Sequence, residues 1–223
     1  MSRGDAVATL SPLAAGQWGM VTAAQARDLG VSRVDLNRLV HDGSLERVAT
    51  AARVYRLTGS PPDPSLDDVR AAWLQLGGGM VAAKRLRKPD AVISHRSAAA
   101  VLELGDLLAD VHEFYSPSRR QLRRGDIHIR VWTRLPTGDW RVVGGLPVTT
   151  AARVVTDLLT DREDESAIAR IVQDALRADL LSREELETLV TGHVAAYGAP
   201  SPAAMAAALV GGGTTTPMPA GGR

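Results

Sequence analysis

The apolar positions of the first sixty residues fall into short runs that glycine separates. Two segments of helical spacing follow one another, Ala23 to Leu29 and Arg33 to His41, with Gly30 between them and Gly43 after them. Thr22 stands three residues before Gln25, and Ser32 three before Asp35. At that spacing each side chain satisfies a backbone N–H that the helix start leaves open. Leu36, Leu39 and Val40 recur at i, i+3 and i+4 and, with Val31, make the apolar seam of the second segment. Two short helices joined by a turn containing glycine predict a helix-turn-helix. Leu45 to Val48 and Val54 to Leu57 follow as a hairpin of the wing type.

Beyond residue 60 the pattern changes. Ser60-Pro61-Pro62-Asp63-Pro64 reads as a linker, Leu66 to Leu76 as a helix, and Gly77-Gly78-Gly79 as its end. The basic stretch Lys84 to Lys88 has no apolar period and reads as a loop or short insertion. From Asp90 onward, strands are expected at Ala91 to Ile93, Val111 to Tyr115, Ile127 to Trp132 and Trp140 to Val143. Helices are expected from Ser94 or Ser97 to about Leu104, after Thr149 or Thr150, at about 164–179, 183–192 and 201–210. The helix after Thr150 carries Ala152, Val155, Leu158 and Leu159 on one face, and Ser182 with Glu185 makes another capping box. The predicted fold class is α+β: an N-terminal winged helix-turn-helix, then a mixed C-terminal domain with a small β-sheet and several helices. The expected boundaries are 1–60 for the DNA-binding domain, 61–89 for a linker helix and loop, 90–210 for the α+β domain and 211–223 for a disordered tail.

Composition changes this picture in two places. Cysteine is absent, which removes disulfides and thiolate metal sites and fits a reducing cytoplasm. No signal pattern opens the chain, and no apolar run approaches the roughly 18 residues of a membrane span, so no membrane partner is expected. The net charge of +1 hides an uneven distribution. Residues 117–141 hold seven arginines against two acids, whereas residues 157–189 hold ten acids against four arginines.

The chemistry worth placing is cationic. Arg33, Asn37, Arg38 and His41 lie off the apolar seam of the second helix, where they suit a major groove. Arginine pairs two-pronged with guanine, and asparagine with adenine. Arg47, Arg53 and Arg56 come from the wing and would hold phosphates, while Asp35 reads as a cap. Arg119, Arg120, Arg123 and Arg124 form a cationic connection between two strands that offers secondary phosphate contacts. His95 beside Ser94 and Ser97 has no catalytic geometry by adjacency alone. The acids Asp157, Asp161, Glu163, Asp164 and Glu165 read as a solvated helix start rather than a metal site. No catalytic residue, cofactor or metal is expected.

The stretches Gly16 to Ala26, Gly30-Val31-Ser32-Arg33, Leu39-Val40-His41-Asp42-Gly43 and Val54-Tyr55-Arg56-Leu57 resemble the N-terminal domain of AbiEi-type antitoxins. Val92 to Ala99, and Gly145 to Arg153 followed by Asp157-Leu158, are similar to segments of that family's C-terminal part. The resemblance implies a type IV toxin–antitoxin or abortive-infection antitoxin that represses its own operon through inverted repeats. Its partner would be a nucleotidyltransferase-like toxin, opposed without needing a stable complex, and an inverted repeat calls for two copies, by self-association on DNA or as cooperatively placed monomers. Two departures stand out. The wing reads Val48-Ala49-Thr50-Ala51-Ala52-Arg53 where a glycine is expected before Val54-Tyr55, and Gly77 to Lys88 is inserted relative to the pattern. The alternative function is an enzyme acting on nucleic acid or on the toxin, with His95 or Asp157 in the chemistry. A third is a small-molecule-responsive repressor, which needs an apolar pocket.

Overall fold

Ser2 and Asp5 open the chain with a reciprocal cap, and the helix they start is α1 (Arg3–Ala15), for which the sequence reading has no counterpart. The structure, a computed structural model, describes residues 1–119, 125–133 and 136–212. Arg120, Arg123 and Arg124 of the cationic connection, and the tail beyond residue 212, lie outside the described residues. After α1 come β1 (Met20–Thr22), α2 (Ala23–Asp28), α3 (Arg33–His41), β2 (Leu45–Arg47) and β3 (Val54–Leu57). Next are α4 (Asp67–Leu76), α5 (Ala82–Arg87), β4 (Val92–Ile93), α6 (His95–Val101), β5 (His112–Ser116) and β6 (Ile127–Val131). β7 (Trp140–Val143), β8 (Leu146–Thr149), α7 (Ala151–Thr160), α8 (Glu165–Arg177) and α9 (Arg183–Val190) follow. A 3-10 turn (Ala195–Tyr197) and α10 (Pro202–Gly211) complete the described chain. The fold class is α+β, with a winged helix-turn-helix at its N-terminal end.

The chain divides into two units. The first holds Met1–Ile93, Phe114–Arg134 and Val142–Pro147. Its N-terminal part is built on a three-stranded antiparallel sheet of order β1-β3-β2, in which Val21 faces Tyr55 and Arg47 faces Tyr55 from the other side. Leu10 and Ala14 of α1, Leu36 and Leu39 of α3, Val31, Leu45 and Tyr55 form one buried cluster, so the seam read from the sequence closes on α1 as well as α2. Gly19, at φ +75°, lets the chain turn from α1 into β1; a Cβ there would come within 2.2 Å of the Ser60 hydroxyl. The second sheet has the order β6-β5-β4-β8-β7, and most of its residues belong to this unit.

Of the stretch Lys84 to Lys88, expected as a loop or short insertion, all but Lys88 lies in the helix α5. The reason is tertiary. Arg85 is buried with its guanidinium 3.8 Å from the centre of the Trp73 ring, and its Nε donates to Asp90 at 2.8 Å. A segment without apolar period is thus held by one cation on one indole.

The second unit holds Ser94–Glu113, Leu135–Arg141 and Val148–Arg223. Its core is helical: α7 buries Val154, Val155, Leu158 and Leu159 on the face it turns to α6, α8 and α9. Ile168, Ile171 and Val172 of α8, and Met205 and Leu209 of α10, fill the space between those helices. The caps at Thr150 and at Ser182–Glu185 form at the positions read from the sequence.

Candidate nucleic-acid interface

α3 is held at its start by Ser32, whose hydroxyl accepts from the Asp35 N–H at 3.1 Å and donates to the Asp35 carboxylate at 2.6 Å. That hydroxyl holds the Asp35 carboxyl below the usual carboxylate range. Asp35 is therefore a cap, and it also takes a bond from Arg38 Nη2 at 2.9 Å. Leu36 and Leu39 are buried on one face. Arg33, Asn37, Arg38 and His41 are all exposed on the rest of the helix, so the four expected base-reading side chains share one solvent-facing surface. Arg38 also donates to the Met1 carbonyl at 2.7 Å.

The wing arginines do not share one fate. Arg47 lies with its guanidinium 5.3 Å from the Tyr55 ring centre and donates to Asn37 Oδ1 at 2.7 Å. It therefore fixes a side chain of α3 while remaining at the surface itself. Arg56 was expected on phosphate. Its guanidinium instead lies 2.5 Å from Asp67, with only 12 % of the side chain exposed, and its charge is already answered within the fold. Arg53 is exposed at the wing turn and has φ +64°. This is the position at which the pattern calls for glycine. The wing makes the glycine conformation with an arginine, and its carbonyl still accepts from the Ala23 N–H at 2.8 Å. A left-handed residue with a Cβ costs about 1–2 kcal/mol. Arg53→Gly is accordingly expected to raise unfolding stability by up to about 1 kcal/mol, after subtracting the added freedom of glycine in the unfolded chain. Urea denaturation of the two proteins side by side measures it, and a clear loss of stability would contradict the account.

Behind α2 and α3 lies a pair of buried amides that the sequence reading missed. Gln17 Nε2 donates to Gln25 Oε1 at 2.7 Å, and Gln25 Nε2 returns a bond to Gln17 Oε1 at 3.2 Å. The same Gln25 oxygen caps the Thr22 N–H, while its nitrogen reaches the Met80 carbonyl at 2.9 Å. Thr22 Oγ1 donates to the Gly78 carbonyl at 2.8 Å. The glycine-rich stretch after α4 is thus bonded to the start of α2 and is part of the module's support.

In the second unit, His95 and Asp157 are each about 2 % exposed, and Ser94 is fully buried. Arg153 Nη2 meets Asp157 Oδ1 at 2.7 Å, His95 Nδ1 lies 3.8 Å from the other Asp157 oxygen, and His95 Nε2 lies 3.8 Å from Asp161. Glu163 pairs with Arg96, and Asp164 caps α8. His95 and Asp157 are thus packed against Arg153 and Asp161 inside the second unit. Among the described residues no group of His, Asp or Glu is placed to hold a metal ion. An apolar pocket of about 240 Å³ lies among Glu165, Tyr197, Pro200, Met205 and Leu209. Arg119 is exposed. No helix among the described residues is long and apolar enough to cross a membrane.

Residues 9–49 match a family model described as a transcriptional regulator, the AbiEi antitoxin. No curated protein matches the chain. The matched segment begins within α1 and takes in β1, α2, α3 and β2, the elements that carry the exposed polar face. Over that segment the chain is similar to the AbiEi antitoxin family of transcriptional regulators.

Proposed function

We propose that the protein is the antitoxin of a type IV toxin–antitoxin system, which represses its own operon and counteracts a nucleotidyltransferase-like toxin. The observation that carries the DNA half is the exposed surface of α3 with Arg33, Asn37, Arg38 and His41 together upon it. These side chains meet base edges, with Arg47 and Arg53 at the phosphates and Arg56 withdrawn into its pair with Asp67. Arg119 and its neighbours Arg120, Arg123 and Arg124 supply secondary backbone contacts. Residues 1–60 act as the DNA-binding module and 90–210 as the antitoxin portion, joined by 61–89, in the cytoplasm. Two copies occupy an inverted repeat in the promoter.

Gel shifts on the protein's own promoter test the DNA half. Arg38→Ala should weaken specific binding by about 1–3 kcal/mol, roughly 5- to 150-fold. Each phosphate contact removed by substituting Arg47 or Arg53 should flatten the salt dependence by about one unit. Unchanged affinity of Arg38→Ala at physiological salt would remove α3 from the interface. Support for the antitoxin half is the family match at residues 9–49 together with the resemblance of residues 92–99, 145–153 and 157–158 to the family's C-terminal part. Co-expression of the full chain with a nucleotidyltransferase-like toxin encoded beside it should restore growth, and persistent toxicity, or the lack of such a gene there, would end that half.

A further inference from the structure

Resting on the reading of α3 as the element that meets DNA, we infer that Val34 reads a pyrimidine 5-methyl group in the major groove. Val34 is 75 % exposed, the highest exposure among the large hydrophobic side chains of the described residues. A lone valine at a surface is ordinary, but the position of this one is not. Val34 heads the stripe that continues through Asn37, Arg38 and His41 at i+3, i+4 and i+7. The core is complete without it. Val31 and Leu36 close the helix start, and Leu36 and Leu39 face inward. Nor does helix propensity ask for it, since a β-branched side chain is a poor choice on an exposed helix.

In the major groove the one apolar group that a standard base pair presents is the thymine methyl. Valine donates and accepts nothing, so on a base-reading stripe it selects by contact with that methyl and by excluding water. Cβ atoms three or four residues apart on a helix are about 5–6 Å from each other. Base pairs along one strand are about 3.4 Å apart. The methyl therefore belongs to a pyrimidine within one or two base pairs of the base that Asn37 or Arg38 reads. Thymine and 5-methylcytosine carry the same group.

The test selects duplexes from a randomised library with the full-length protein, then with Val34→Ala and Asn37→Ala. Wild type should require thymine at one position within two base pairs of the position that Asn37→Ala relaxes, and Val34→Ala should lose that requirement. Replacing this thymine by deoxyuracil should weaken wild-type binding about fourfold, the worth of one buried methyl, and should leave Val34→Ala nearly unchanged. Cytosine at that position should bind wild type less well than 5-methylcytosine, which identifies the methyl rather than the carbonyl edge. Val34→Thr, which keeps one methyl, should retain part of the preference. If wild type selects a motif that Val34→Ala selects identically, the inference about Val34 fails and the DNA reading stands. If wild type enriches no motif at all, the DNA reading fails and takes this inference with it.

Discussion

Trp73→Ala is expected to lower unfolding stability by about 3–5 kcal/mol, the range for truncating a large buried aromatic side chain. Trp73 is the largest of the fully buried side chains, and its indole N–H donates to the Ala91 carbonyl at 2.9 Å. Its loss removes more than volume. Arg85, itself almost fully buried, rests on the indole face and donates to the Trp73 carbonyl at 2.5 Å. Trp18 meets the same ring edge-on at 6.2 Å. Without the indole, the Ala91 carbonyl lacks its donor and the Arg85 cation faces a cavity, and each is costly away from water. Trp73→Phe keeps the face and loses the N–H, and should fall between wild type and alanine. Urea denaturation followed by circular dichroism measures all three. A loss below about 1.5 kcal/mol for the alanine variant would show that the site collapses or floods with water, contrary to this account.

Asp157→Ala should cost about 3 kcal/mol, the lower end of what breaking a buried ion pair costs. The lower end applies because the Arg153 side chain is 28 % exposed and can regain some water, whereas that of Asp157 is only 2 % exposed. His95 also loses the carboxylate 3.8 Å from its Nδ1. The neutral isostere Asp157→Asn separates charge from shape and should recover part of the loss. Hydrogen exchange resolved along α6 and α7 gives the local reading, since both helices should lose protection together. Unchanged exchange in α6 would mean that His95 does not depend on Asp157.

What the sequence made legible follows from how local each cause is. The caps of α2, α3 and α9 depend on residues three apart, and all three form where they were read. α1 has the same kind of signature at Ser2–Asp5, but Pro12 interrupts its length and alanine fills much of its apolar face, so the pattern is weak. β8 was missed for a related reason. Pro147 stands inside it, although β8 lies between β4 and β7, and a proline ordinarily argues against an inner strand. α5 was beyond sequence reasoning because its hold is Arg85 on Trp73, twelve residues away. At the candidate interface, the polar face of α3 is legible from its amphipathic spacing. The separation of the wing arginines is not. Nothing in a sequence says that Arg56 pairs with Asp67, or that Arg47 turns toward Asn37.

That last link between the wing and the recognition helix constrains how such a module can diverge. Arg47 Nη2 donates to Asn37 Oδ1, so the orientation of an exposed amide on α3 is set by a residue in a different element. A lineage that replaced Asn37 would also leave the Arg47 guanidinium without that acceptor. A lineage that replaced Arg47 would lose a cation and release the amide in one step. Positions 37 and 47 should therefore change together among descendants of this gene, in paired jumps rather than by single tolerated steps.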